Sequence, residues 1–213
     1  MRILFQGDSI TDCLRSSYDS GAFMGSGYPC LIQSDLCLNR ADIEVLNCGI
    51  SGNRVTNLLA RWKKDCINLR PDVISILIGV NDVWHELSHQ EGVDAELFEE
   101  TYRVLLRYTK RMLPETKLIL LGAYLTHGTA TDGTQWDRFY KEVALRNAIT
   151  RRLAARSLHH ADPGGVGLQG HLAGTKNHTL HRWKFGAEHP RGRHHQNRAH
   201  HGRRLPWRQL RPL

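Results

Sequence analysis

Four short apolar runs divide the first 156 residues, and a glycine or an asparagine closes each of them. Ile3-Leu4-Phe5 reaches Gly7 after a single glutamine, residues 43–46 stop at Asn47, residues 73–78 at Gly79, and residues 118–121 at Gly122. Runs of this length between turn formers read as strands. The third, Val73-Ile74-Ser75-Ile76-Leu77-Ile78, is almost continuously apolar, as a parallel strand covered on both faces must be. Amphipathic stretches lie between the runs. Val55, Leu58, Leu59, Trp62 and Cys66 recur at helical spacing, as do Leu97, Thr101, Leu105, Tyr108 and Met112, with Pro71 and Pro114 closing the two helices. A further helix is expected from about Trp136 to Arg156. The alternation predicts a doubly wound α/β domain, with helices on both faces of a parallel sheet and a ligand site at the carboxyl ends of its strands.

Polar residues gather at those strand ends. The first strand runs into Gly7-Asp8-Ser9, the second into Asn47-Cys48-Gly49-Ile50-Ser51-Gly52-Asn53, and the third into Gly79-Val80-Asn81-Asp82. Ser9 in this setting reads either as a helix N-cap or as a nucleophile. A serine nucleophile needs a base for its proton and donors for the oxyanion that forms on the attacked carbonyl. Three donors are at hand: the Ser9 N–H, the Gly52 N–H and the Asn81 side-chain amide.

Taken in order, Gly7-Asp8-Ser9, Gly49-Ile50-Ser51-Gly52-Asn53-Arg54 and Ile78-Gly79-Val80-Asn81-Asp82 resemble the first three blocks of the SGNH hydrolases, also called GDSL esterases and lipases. The resemblance covers about residues 2–156. It implies a three-layer α/β/α sandwich of flavodoxin-like type, with Ser9 as nucleophile and Ser9, Gly52 and Asn81 as the oxyanion hole. It also implies cleavage of carboxylic esters, short acyl or acetyl esters first among them, through an acyl-enzyme and without metal or other cofactor. The partner is then a small-molecule ester. Family members carry a fourth block, Asp-x-x-His, near the C-terminus. The corresponding stretch here is Trp183-Lys184-Phe185-Gly186-Ala187-Glu188-His189-Pro190, which makes His189 the candidate base and puts Gly186 where its acid partner belongs. Loss of that partner can lower turnover about 10⁴-fold. A catalytically impaired protein of the same fold is the alternative reading.

Charge divides the chain at the same place where the pattern of runs ends. Residues 1–156 hold 19 Lys and Arg against 19 Asp and Glu, whereas residues 157–213 hold 10 against 2 and carry 10 of the 13 histidines. That quarter has a single valine, Val166, and no isoleucine, so it lacks the residues for a closing strand. The expected organisation is a core over 1–156 followed by an atypical, poorly packing segment over 157–213. A slip of the coding frame or decay after about Arg156 is the preferred explanation, against a basic, histidine-rich extension that binds nucleic acid, a polyanion or metal. No interleaved aromatics or recognition helix accompany the basic residues, so nucleic acid is not the expected partner. No apolar run is long enough to span a membrane, and Met1-Arg2 leads directly into the first strand, so the expected compartment is the cytoplasm.

The remaining motifs add little chemistry. The five cysteines have no zinc spacing and read as reduced, mostly buried thiols. His85-Glu86-Leu87-Ser88-His89 matches the zinc-binding H-E-x-x-H pattern, which makes a zinc hydrolase using His85 and His89 the rival enzyme reading. The expectation is a loop or an irregular helix start there, with Ala95 where a third ligand would stand. Gly165–Gly170 matches G-x-G-x-x-G without a preceding strand, so no dinucleotide site is expected. Trp84 and His85 are candidates for the pocket wall, and Arg61, Lys63 and Lys64 read as a solvated helix face.

Overall fold

The computed structural model describes residues 1–15, 21–128, 131–132 and 135–159. Four strands, β1 (Arg2–Gly7), β2 (Glu44–Asn47), β3 (Val73–Leu77) and β4 (Lys117–Leu121), form one sheet in the order β2-β1-β3-β4. Every pairing is parallel, with Leu4 opposite both Leu46 and Ile74, and Ile74 opposite Leu118. The chain winds outward from β1 to β2 and then crosses back to β3, which puts the topological switch point between β1 and β3. Ligands of open α/β sheets bind at that crevice, outside the carboxyl ends of the strands.

Side chains of a strand alternate between faces, so each strand serves two layers. Leu4, Leu46, Ile74 and Ile76 face a large core completed by α3 (Val55–Asp65), α5 (Ala95–Met112) and α6 (Trp136–His159). Phe5 and Val45 face a smaller core with Met24 and Ile43, against which Tyr28 and Leu36 of α2 (Tyr28–Asn39) pack. The doubly wound α/β fold is therefore as expected. The short α1 (Ser9–Asp12) and α4 (Val80–His89) leave β1 and β3 at the switch point.

Three local readings are corrected. In α5 the buried face is Phe98, Thr101, Tyr102, Leu105, Leu106 and Thr109, while Leu97 and Met112 are exposed. Thr109 belongs inside because its hydroxyl accepts from the Trp62 indole N–H at 2.9 Å and donates to the Leu105 carbonyl, tying α3 to α5. The segment that carries Asn81 is a regular helix of ten residues, Val80–His89, rather than a loop or an irregular helix start. Of the cysteines only Cys48 and Cys66 are buried; Cys13 and Cys30 are half-buried and Cys37 is exposed, all with free thiols. The last helix continues to His159, and the segment from position 160 onward, with Gly186 and His189, lies outside the described residues.

Candidate active site

Ser9 sits on the first residue of α1, directly beyond β1, and is exposed. The capping role falls to Asp8, whose Oδ1 accepts from the Ile10 N–H at 3.0 Å and whose carbonyl accepts from Thr11 and Asp12. The Ser9 hydroxyl is thus spared for other work, and no described residue hydrogen-bonds to it. Burial pushes the Asp8 carboxyl up to about 6, against the pull of the Ile10 N–H.

The loop after β2 is fastened to α1 by the buried Asn47 and the half-buried Asp12. Asn47 donates both amide hydrogens, to the Thr11 carbonyl at 2.7 Å and the Met24 carbonyl at 2.8 Å, and accepts from the Gly49 N–H. Asp12 accepts from the Ser51 N–H at 2.9 Å and its hydroxyl at 2.7 Å, and Ile50 N–H donates to the Gly7 carbonyl at 3.0 Å. Only glycine fits at position 49, since a Cβ there would stand 2.5 Å from the Asp12 nitrogen. Gly52 has φ +80, a backbone conformation that L side chains resist, and a Cβ on it would meet nothing within 4 Å. Its surroundings are open.

Asn81 and Asp82 occupy the first turn of α4, and both are buried. The Asn81 amide donates to the Asn53 carbonyl at 3.2 Å, which leaves its second hydrogen for another acceptor. Asp82 Oδ1 accepts from the Val55 N–H at 3.0 Å, binding the start of α3 to the start of α4. Burial pushes the Asp82 carboxyl up to about 7, opposed by the Val55 bond and by Arg146. The loops that carry Ser9, Gly52 and Asn81 are therefore cross-linked to one another at the switch point. His189 belongs to the residues not described.

Sequence reasoning missed one group here. Lys63 and Lys64 are exposed as expected, but Arg61 turns inward. Its guanidinium donates to Asn53 Oδ1 at 2.8 Å, Gln6 Oε1 at 2.9 Å, Asp65 Oδ2 at 3.3 Å and the Gly7 carbonyl at 3.4 Å. The available signal was Gln6, a fully buried amide directly after the apolar run Ile3-Leu4-Phe5, since such a group must find partners. Trp84 packs edge-on against Phe139 of α6, with ring centroids 5.7 Å apart. His85 and His89 lie one turn apart on α4 with ring centroids 6.4 Å apart. Glu86 between them accepts from the Gly92 N–H, and among the described residues no group of three His, Cys, Asp or Glu side chains can hold a metal ion.

The similarities to known proteins agree with this fold. The GDSL-like Lipase/Acylhydrolase family matches residues 5–196. An acetylxylan esterase of Geobacillus stearothermophilus is 33% identical over 158 residues, which cover 72% of this chain and 71% of the esterase. Among solved structures, a GDSL-like lipase from Parabacteroides merdae superposes with a TM-score of 0.68 at 37% identity, covering 74% of each chain. The Geobacillus acetylxylan esterase Axe2 superposes with a TM-score of 0.63 at 31% identity, covering 74% of this chain and 73% of that one. Solved variants of Axe2 in which a serine, an aspartate or a histidine is replaced by alanine are described as catalytic mutants. With this fold, this set of strand-end loops and these relatives, the chain belongs to the GDSL-like lipase/acylhydrolase family, a family of carboxylic ester hydrolases.

Proposed function

We propose that the protein cleaves carboxylic esters through an acyl-enzyme, with Ser9 as the nucleophile. The observation that carries this reading is the exposed Ser9 at the switch point, relieved of capping by Asp8 and linked through its neighbours to the loops of Gly52 and Asn81. Ser9 Oγ attacks the ester carbonyl and passes its proton to a histidine, His189 by its place in the sequence. The negative charge that develops on the carbonyl oxygen falls to the Ser9 and Gly52 amides and the Asn81 side chain, donors held in place before the reaction begins. The histidine then protonates the departing alcohol, and water attacks the acyl-serine to release the acid and regenerate Ser9. Acetyl esters on carbohydrate are the favoured substrates, on the strength of the acetylxylan esterase relative.

Gly186 in the acid position of the fourth block supports slow turnover by such a catalyst. The experiment is hydrolysis of p-nitrophenyl acetate together with fluorophosphonate labelling, for the wild type and Ser9→Ala. Both signals are expected in the wild type and neither above background in the variant. Turnover that survives Ser9→Ala, or that a chelator abolishes, refutes the reading.

A further inference from the structure

Arg61 is the only cation of α3 that turns into the protein, and what it holds is specific. Lys63 and Lys64, two and three residues on, remain exposed. Each of the four guanidinium contacts reaches a group that frames the proposed oxyanion hole or anchors that frame. The Gly7 carbonyl lies two residues before Ser9 and also receives the Ile50 N–H. Asn53 directly follows Gly52, and its carbonyl receives the Asn81 amide. Gln6 and Asp65 complete the fork, with the Gln6 amide donating in turn to the Asp65 carbonyl at 2.6 Å. A planar guanidinium presents five donors in a fixed fork, so it can bind these acceptors at once, whereas a lysine ammonium is a point charge on a flexible stem.

We propose that Arg61 is a positioning residue for the oxyanion donors: its guanidinium ties the end of β1 to Asn53 and so sets Gly52 and Asn81 relative to Ser9. The proposal rests on the serine-esterase reading for its kinetic consequence but not for its structural one. Donors fixed beforehand stabilise developing charge without reorganising, and a displacement of about 1 Å in such a site can cost about 10²-fold in rate. Arg61 itself touches no reacting atom. Its effect therefore appears in kcat rather than in KM.

The test compares the full-length wild type with Arg61→Met, Arg61→Lys, Asn53→Ala and, as a control on the same helix, Lys64→Met. Amide hydrogen exchange is read at Ile50 and Asn53, whose N–H groups bond to the Gly7 and Ile50 carbonyls. Arg61→Met is expected to exchange at these two amides about tenfold faster, with the amides of α5 unchanged. Its kcat for p-nitrophenyl acetate is expected to fall 10- to 10²-fold with KM within twofold. Arg61→Lys recovers part of both losses, Lys64→Met changes neither, and Asn53→Ala reproduces the local exchange should the methionine variant not fold. Unchanged exchange at Ile50 and Asn53 overturns the proposal. So does a loss spread evenly over α5, which would mark Arg61 as a general stabiliser. A wild type without Ser9-dependent turnover defeats the esterase reading instead, and the exchange data still decide the role of Arg61.

Discussion

The carboxyl edge of the sheet is built in two manners. Around β1 and β3 the loops are braced by buried and half-buried polar side chains: Asn47, Asp12, Arg61, Asn81 and Asp82 each join segments distant in sequence. Beyond β4, Asn147 of α6 holds the Ala123 N–H and carbonyl, and past that point aromatic side chains lie at the surface with a local polar contact at His127. Tyr124 is exposed, His127 stacks on Trp136 with centroids 3.7 Å apart, and His127 pairs with Asp132 only five residues away at 2.9 Å. Stabilising a transient charge requires donors that do not move, whereas contact with a variable part of a substrate tolerates surface residues that do. On the proposed reading, the braced end serves the chemistry and the aromatic end recognition.

Substitutions can separate the two ends. Asn81→Ala removes one of the proposed oxyanion donors and is expected to lower kcat about 10²- to 10³-fold, with KM little changed, in steady-state assays of an acetyl ester. A rise in KM alone would move Asn81 from the braced end to the recognition end. Asn47→Ala strands two buried carbonyls and the Gly49 N–H, so a loss of about 2–3 kcal/mol is expected in urea denaturation. A change below about 0.5 kcal/mol would mean that the brace contributes nothing.

The third variant reads the brace through pH. Asp82 has a carboxyl pushed up to about 7 in the folded protein, against an ordinary value of 3.8. Between those values the folded chain keeps a proton that the unfolded chain has released, so stability is full below about pH 4 and falls as pH rises through 7. Asp8, pushed up to about 6, contributes in the same direction. Asp82→Asn keeps an acceptor for the Val55 N–H and does not titrate, so its Tm should fall less steeply between pH 4 and 7. Parallel profiles would show that the ionised carboxylate is tolerated. The smallest effect is expected at the aromatic end. Tyr124→Ala should leave Tm and the kcat for a small acetyl ester nearly unchanged, within about 0.5 kcal/mol, and alter KM only for larger alcohols.

The apolar runs made the strands legible because each stops at Gly or Asn and pairs in parallel; the central β1 and β3 are covered on both faces, whereas Ile119 of β4 is exposed. The α3 face was legible in the main, with Val55, Leu58, Trp62 and Cys66 all buried, although Leu59 of the same expected set is exposed. What escaped was polar and inside. Thr109 takes a core position through its bond to Trp62, which a search for apolar spacing passes over. Arg61 lies on a helix whose neighbouring lysines are exposed, so the helical pattern alone assigns it to solvent, while its long stem carries the charge to Gly7 and Asn53. In the candidate site, Ser9, Gly52 and Asn81 could be named from their loops. The bonds linking those loops depend on the spatial order β2-β1-β3, which no local stretch of sequence contains.

The arrangement of the three donors is met most directly by a crystal structure of the adduct formed with a fluorophosphonate. The phosphorus is expected on Ser9 Oγ, with its oxygen about 2.7–3.1 Å from the Ser9 and Gly52 nitrogens and from Asn81 Nδ2. An adduct on another residue, or a phosphonyl oxygen out of reach of both Gly52 and Asn81, would contradict it.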